Sequence, residues 1–123
     1  MKKLTRFGSP VLLMLSVQTA YGANLQFLEY SPARNFTEQD WEMLKTAADE
    51  ALNERKTGES VFWSNPDSGN SGSLVITGVF EKEGAKCKTL QINSQARGTE
   101  GQATHPFCQQ PDQTWKVDAA APN

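Results

Sequence analysis

Residues that commonly carry out catalysis or bind metals are scarce in this chain. Its 123 residues include one histidine, His105, and two cysteines, whereas a zinc site needs four ligands close together. The one apolar run, Val11–Val17, is only seven residues long, and a membrane-spanning helix needs roughly 20. A multispanning membrane protein is therefore excluded, and we predict no catalytic residue, no metal and no cofactor.

Features of nucleotide-binding folds are missing as well. Gly98 and Gly101 form no phosphate-binding loop, because no helix follows them in the sequence. Strands and helices do not alternate in the way that builds a dinucleotide-binding crevice. Aromatic residues are plentiful, however, and the three Trp, six Phe and two Tyr argue against a disordered chain. The length is sufficient for one small domain.

The N-terminus has the three-part pattern of a secretory signal peptide. A basic start precedes the apolar run, and the small residues Ala20 and Gly22 occupy the two positions that a signal peptidase reads. We predict a cleaved signal peptide over residues 1–22, followed by an N-terminal segment over residues 23–36. The basic residues of the start are Lys2, Lys3 and Arg6.

Cleavage at that point makes the chain acidic. It leaves nine basic and fourteen acidic residues, a net charge of −5, which disfavours binding to phosphate backbones and anionic lipid headgroups. We therefore expect no nucleic-acid partner and no transmembrane segment in the exported chain. The expected location is the periplasm, with secretion or peripheral association with the outer membrane as alternatives. No cysteine lies near the predicted cleavage point, which disfavours a lipid anchor.

The two cysteines, Cys87 and Cys108, have 20 residues between them. In an exported protein an even number of cysteines indicates a disulfide. Closing a loop of this length removes conformational entropy from the unfolded chain worth roughly 3 kcal/mol. We predict that Cys87 and Cys108 are bonded to each other.

An amphipathic helix is predicted over residues 38–56. Thr37 is a candidate N-cap, and Asp40 three residues later completes a variant of the capping box. Phe36 and Trp41 have the spacing of a hydrophobic staple. The apolar face, spaced as in a helix, comprises Trp41, Leu44, Ala48, Ala51 and Leu52.

Gly58 is expected to end the helix, and beyond it the apolar period changes to two, which predicts strands. The fold class is therefore α+β: one N-terminal amphipathic helix packed on a four- to five-stranded antiparallel β-meander with one disulfide. This domain is predicted over residues 37–117, with a flexible tail over residues 118–123. The predicted strands are Glu59–Ser64, Ser73–Glu81, Ala85–Gln95, Gln102–Cys108 and Thr114–Val117.

The loop from Asn65 to Gly72 is the most distinctive polar segment. Asn65, Asp67 and Asn70 offer polar groups to a small ligand, which would lie between Trp63 and Trp115. One carboxylate is too few for a calcium-binding loop. The alternative is a structural loop whose Asn and Gly residues adopt turn conformations, with both indoles in the core.

His105 is the remaining candidate for catalysis. A hydrolase would need a nucleophile or a carboxylate brought beside this imidazole by the fold. No recognisable catalytic motif surrounds it in the sequence. The alternative is a solvent-facing residue of a strand.

An ordered series of Trp, Asn-Pro, Gly, Cys and Asp/Trp positions runs between Ala51 and Val117. It resembles the C-terminal domain of the seventeen-kilodalton surface-antigen family of bacterial envelope proteins. The resemblance implies an envelope location, no assigned catalytic activity and no active-site residues. The positions are Trp63-x-Asn65-Pro66-x-x-Gly69-x-x-Gly72, then Cys87, then Cys108-x-x-Pro111-Asp112-x-x-Trp115.

The sequence departs from the family pattern in three ways. It has no lipid-attachment cysteine and no glycine-rich membrane-associated segment, and Gln113 stands where the family usually has glycine after the aspartate. These departures favour a soluble periplasmic protein.

The predicted function is that of an exported, non-catalytic periplasmic or envelope protein that acts as a binding or structural module. Its expected partner is another envelope protein or a cell-wall component. One alternative is a secreted inhibitor of a lysozyme or protease, which would present the loop Asn65–Gly72. The other is a small periplasmic hydrolase that uses His105.

Overall fold

The computed structural model describes Leu25 and residues 32–118. The predicted signal peptide, most of the N-terminal segment and the tail beyond Asp118 lie outside the described residues. One helix packs on a five-stranded antiparallel sheet whose strand order follows the chain, which confirms the predicted α+β class. The elements are a 3₁₀ turn Pro32–Asn35, α1 Glu38–Glu54, β1 Ser60–Ser64, β2 Ser71–Lys82, β3 Ala85–Ala96, β4 Thr99–Gln109 and β5 Trp115–Val117.

The start of α1 follows from the residues around Thr37. The Thr37 hydroxyl accepts a hydrogen bond from the Asp40 backbone N–H at 3.1 Å, and the Asp40 carboxylate accepts one from the Thr37 N–H at 2.8 Å. This reciprocal pair is the predicted capping box. The rings of Phe36 and Trp41 meet edge to face, with centroids 5.7 Å apart, as a hydrophobic staple requires.

The end of α1 differs from the prediction. The helix ends at Glu54, and Arg55 adopts an extended conformation with its N–H bonded to the Ala51 carbonyl. Gly58 has a positive φ of 89° but lies in the turn that leads to β1. The Arg55 carbonyl instead accepts a hydrogen bond at 2.7 Å from the Lys88 ammonium of β3. A side chain of the sheet therefore binds the carbonyl at the helix end. No feature of the sequence near Arg55 indicates this long-range contact.

Two tight turns set the register of the central hairpins. Glu83-Gly84 joins β2 to β3, Arg97-Gly98 joins β3 to β4, and all four residues have positive φ, as type I′ turns require. The resulting register places Cys87 directly opposite Cys108. The two sulfur atoms form a disulfide, which confirms the predicted pairing.

The sheet has an inner face, which packs against α1 and the 3₁₀ turn, and an outer face on the opposite side. Two glycines of the inner face allow neighbouring side chains to approach the backbone of the sheet closely. A Cβ on Gly72 would lie 2.6 Å from the Trp63 indole nitrogen, and one on Gly101 would lie 2.5 Å from a Pro32 ring carbon. The large, fully buried apolar side chains of the core are Leu44, Leu52, Leu74, Ile76, Leu90, Ile92, Phe107 and Trp115.

Candidate functional site

The loop between β1 and β2 is organised around the buried carboxylate of Asp40. Asp40 Oδ1 accepts hydrogen bonds from the Asn65 amide and the Ser68 hydroxyl, each at 2.7 Å. Asp40 Oδ2 accepts one from the Asn70 amide and one from the Thr37 backbone N–H, each at 2.8 Å. The three contacts from Asn65, Ser68 and Asn70 join the first turn of α1 to the loop, and the fourth lies within the helix start.

The same contacts determine the charge state of Asp40. Burial raises the pKa of this carboxyl, but the hydrogen bonds outweigh that effect and lower its pKa from 3.8 to about 2. Asp40 is therefore ionised at neutral pH. Four donors match the roughly four acceptor positions of a carboxylate, so this group serves to hold the fold together.

The residues of the predicted binding site differ in burial and in their position in the fold. Asn65 and Asn70 are buried with their amides on Asp40, whereas Asp67 is exposed. Trp63 and Trp115 are buried on β1 and β5, the two edge strands of the sheet. Four interstrand spacings, about 19 Å in all, separate those strands. The structure thus does not bring the two indoles together.

The buried Lys88 and Trp115 meet beside the end of α1. Lys88 Nζ lies 6.0 Å from the centroid of the Trp115 ring, and the indole N–H donates to Asn53 Oδ1 at 2.9 Å. Burial lowers the pKa of Lys88, the nearby Lys86 lowers it further, and Glu59 acts in the opposite direction. The Lys88 ammonium and the Trp115 indole N–H thus both donate hydrogen bonds at the end of α1, as the Asp40 carboxylate accepts hydrogen bonds from the loop.

His105 is half-buried on β4, directly opposite Leu90 of β3. Its neighbours on the same face of the strand are Ala103 and Phe107. These three side chains are apolar. Of the residues that the structure describes, no group of three His, Cys, Asp or Glu side chains could hold a metal ion. No helix within residues 32–118 is long and apolar enough to cross a membrane.

The outer face carries a groove of about 510 Å³ that the sequence reasoning missed. Phe62 of β1 stands at one end and is 76% exposed, the largest exposure among the described large apolar side chains. A signal was available, because alternate positions over residues 91–95 of β3 and 100–104 of β4 are polar while the intervening ones are apolar or small. This outer groove is lined by Phe62, Ser73, Asn93, Gln95, Glu100 and Gln102, among others.

Hydrogen bonds connect the polar side chains of the outer groove across three strands. Gln102 of β4 donates its amide N–H to Asn93 Oδ1 of β3 at 2.9 Å. Asn93 in turn donates to the Ser73 hydroxyl of β2 at 3.2 Å. Glu100 is the one charged residue among the described residues that line the groove. The outer groove is therefore a mostly neutral array of amides and hydroxyls beside one exposed aromatic ring.

The chain is similar to a group of bacterial surface antigens. The 17 kDa surface antigen of Rickettsia bellii (strain RML369-C) is 31% identical over 81 residues, and that of Rickettsia prowazekii (strain Madrid E) is 32% identical over 85 residues. Each alignment covers 65% of this chain and 51% of the relative. The chain thus spans about half the length of these relatives. No solved structure gives a significant match.

A family model described as 17 kDa outer membrane surface antigen matches residues 50–116. The match runs from the last turn of α1 into β5 and includes both cysteines. It covers more than half of the sequence and confirms the resemblance seen in the Trp, Cys and Asp/Trp positions. The chain therefore belongs to the 17 kDa outer membrane surface antigen family.

Proposed function

We propose that this protein is an exported, non-catalytic module of the bacterial envelope that binds another envelope component through the outer face of its sheet. The family description and the names of the relatives support an envelope or surface location. The observation that carries the binding role is the outer groove, where neutral polar side chains and an exposed Phe62 lie open on one face.

A non-catalytic role is supported by how the buried polar groups are used. The Asp40 carboxylate receives four hydrogen bonds from the helix start and the loop. The Lys88 ammonium is bonded to the Arg55 carbonyl. These two groups have perturbed pKa values of the kind found in active sites, but each is already committed to a contact that holds elements together.

A periplasmic location is supported by the N-terminal sequence pattern and by the disulfide. Cysteines form lasting disulfides in oxidising compartments such as the periplasm, and Cys87 is fully buried in a disulfide with Cys108. The basic start and the short apolar run would direct the chain to the export machinery.

Cell fractionation tests this proposal. The wild-type protein should be found in the envelope fraction with no titratable thiol and with an N-terminus at Ala23. A variant carrying Leu12→Arg and Leu13→Arg, which interrupts the apolar run, should stay in the cytoplasm with two free thiols. Recovery of the uncleaved wild-type chain from the cytoplasm would contradict the proposal.

Enzymatic and inhibitory activity can be measured on the same preparation. The protein should hydrolyse neither cell-wall material nor peptides, and it should leave lysozyme and protease rates unchanged at micromolar concentration. The inhibitor alternative is less well supported, because Asn65 and Asn70 direct their amides to Asp40. Hydrolysis that is lost in His105→Ala would instead support the hydrolase.

A further inference from the structure

We infer that the outer groove binds an uncharged glycan chain. This inference rests on the proposed binding function and names the chemical class of the partner. Its basis is the combination of three properties in one place: amide and hydroxyl side chains in a row, an exposed aromatic ring at the end of that row, and almost no charge.

The hydrogen-bonding groups of the groove match those of a sugar. Sugar hydroxyls both donate and accept hydrogen bonds, and amide side chains such as Asn93 and Gln102 offer two N–H donors and a carbonyl acceptor each. The contacts from Gln102 to Asn93 and from Asn93 to Ser73 use only part of this capacity. They also hold the side chains in place before a ligand arrives, which lowers the entropic cost of binding.

Phe62 supplies the apolar component of the site. It lies opposite Ser73 in the register of β1 and β2, so its ring stands beside the polar row. A pyranose ring has an apolar face of C–H groups and a rim of hydroxyls. Such a sugar could place its apolar face on Phe62 and its hydroxyls on the amides of Asn93 and Gln102.

The charge and dimensions of the groove restrict the class of glycan. No lysine or arginine is among the described residues that line it, and Glu100 carries its one charge. Phosphorylated or carboxylated polymers would therefore find no cation to bind and one anion to repel them. From β1 to β4 the row crosses three interstrand spacings, about 14 Å. That span suits an oligosaccharide better than a single sugar.

Binding should be measured on the oxidised protein as purified from the envelope of a producing cell. The probes are chitotetraose, an N-acetylated oligosaccharide like a cell-wall glycan, maltotetraose, a neutral oligosaccharide without acetamido groups, and polygalacturonate, a polyanion. We expect chitotetraose or maltotetraose to bind and to shift the amide resonances of Phe62, Asn93 and Gln102 in NMR spectra, while polygalacturonate does not bind. Binding of chitotetraose alone would identify an amino-sugar chain, and binding of both would indicate neutral glycans in general.

Three variants link the binding to the groove. Phe62→Ala should lower the affinity about tenfold because it removes the stacking surface, whereas Phe62→Tyr keeps the ring and should retain the affinity. Phe80→Ala serves as the matched control, since Phe80 is an exposed aromatic residue of β2 that pairs with Cys87, seven positions along the strand from Ser73. It should leave the affinity unchanged.

The inference is overturned if neither neutral oligosaccharide binds, if polygalacturonate binds more tightly than both, or if Phe62→Ala leaves the affinity unchanged. Formation of a dimer that Phe62→Ala abolishes, without any glycan binding, would also overturn it. The proposed envelope function would survive these results, because fractionation tests it separately. A cytoplasmic location would contradict that function whatever the oligosaccharides do.

Discussion

Asp40 illustrates how one residue can combine local and long-range roles. Its position three residues after Thr37 predicts a contact within the first helical turn, and the structure contains that contact. The sequence gives no indication that the same carboxylate would also accept hydrogen bonds from Asn65, Ser68 and Asn70, in a loop more than 20 residues away. That part of its role depends on how α1 lies against the sheet.

Asp40→Ala should therefore destabilise the protein strongly. It takes the Asp40 acceptor away from the buried amides of Asn65 and Asn70 and removes the side-chain half of the capping box, and we expect the free energy of unfolding to fall by about 3 kcal/mol. Urea unfolding followed by tryptophan fluorescence would measure the change. Asp67→Ala, in the same loop but exposed, is the control and should cost less than about 0.5 kcal/mol. Similar losses in both variants would contradict the role assigned to Asp40.

The stability of the protein should also depend on pH through Asp40. The carboxyl has a pKa of 3.8 when unperturbed and about 2 in the folded protein, so the unfolded chain takes up the proton first as the pH falls. The resulting stabilisation, about 2 kcal/mol, should be complete above about pH 4 and lost as the pH approaches 2. Hydrogen bonds from the Thr114 hydroxyl and backbone lower the pKa of Asp112 in the same direction.

Comparison with Asp40→Asn isolates this contribution. The difference in unfolding free energy between the wild type and the variant should shrink between pH 5 and pH 2. A difference that stays constant over this range would show that the Asp40 carboxylate has a normal pKa in the folded state.

Gln113 is a residue whose backbone conformation favours glycine. Its φ is 74°, a left-handed conformation that costs a side-chain-bearing residue about 1–2 kcal/mol, and it stands where the family resemblance leads one to expect glycine. Gln113→Gly should raise the free energy of unfolding by about 0.5–1 kcal/mol, after allowance for the greater freedom of the unfolded chain. Gln109→Gly, in β4, should instead lower it. A loss of stability in Gln113→Gly would show that the turn does not strain this residue.

At the scale of elements, the sequence predicts the bounds of an element well when the signal for them is local. The capping box and the staple define the start of α1, and the turn residues Glu83-Gly84 define the β2–β3 hairpin. The end of α1 is predicted two residues late and with the wrong C-cap, because the C-cap is Arg55 and its carbonyl is bound by the distant Lys88 of β3. The outer groove is missed for a related reason: Phe62 and Gln102 become neighbours of one surface only once four strands are paired.

Close packing of Trp63 on β2 gives a prediction for this element. A Cβ at Gly72 would lie 2.6 Å from both the Trp63 indole nitrogen and the Asn93 backbone oxygen, so Gly72→Ala should destabilise the protein by about 2 kcal/mol. Gly78→Ala in the same strand is the matched control, since the nearest atom, Thr89 Oγ1, would be 4.0 Å away. Thermal unfolding should show a clear loss for the first variant and a change below about 1 kcal/mol for the second. Equal losses would contradict the assigned packing.

On the scale of the whole molecule, the fold class and the disulfide were predictable from composition, periodicity and cysteine count. The meander joins strands in sequence order, so local turns nearly determine its topology. On the side of the sheet that carries α1, Asp40, Lys88 and Trp115 make structural contacts. On the outer face lies the groove lined by mostly neutral polar side chains. This separation of roles between two faces underlies the proposal that the protein binds and does not catalyse.

Photo-crosslinking in producing cells tests that central claim most directly. A photoreactive phenylalanine analogue would replace Gln95, exposed in the outer groove, or Lys45, exposed on α1. We predict that illumination attaches envelope material to the protein from position 95 and little or none from position 45. Absence of adducts at position 95, or adducts that form only from position 45, would contradict binding through the outer face.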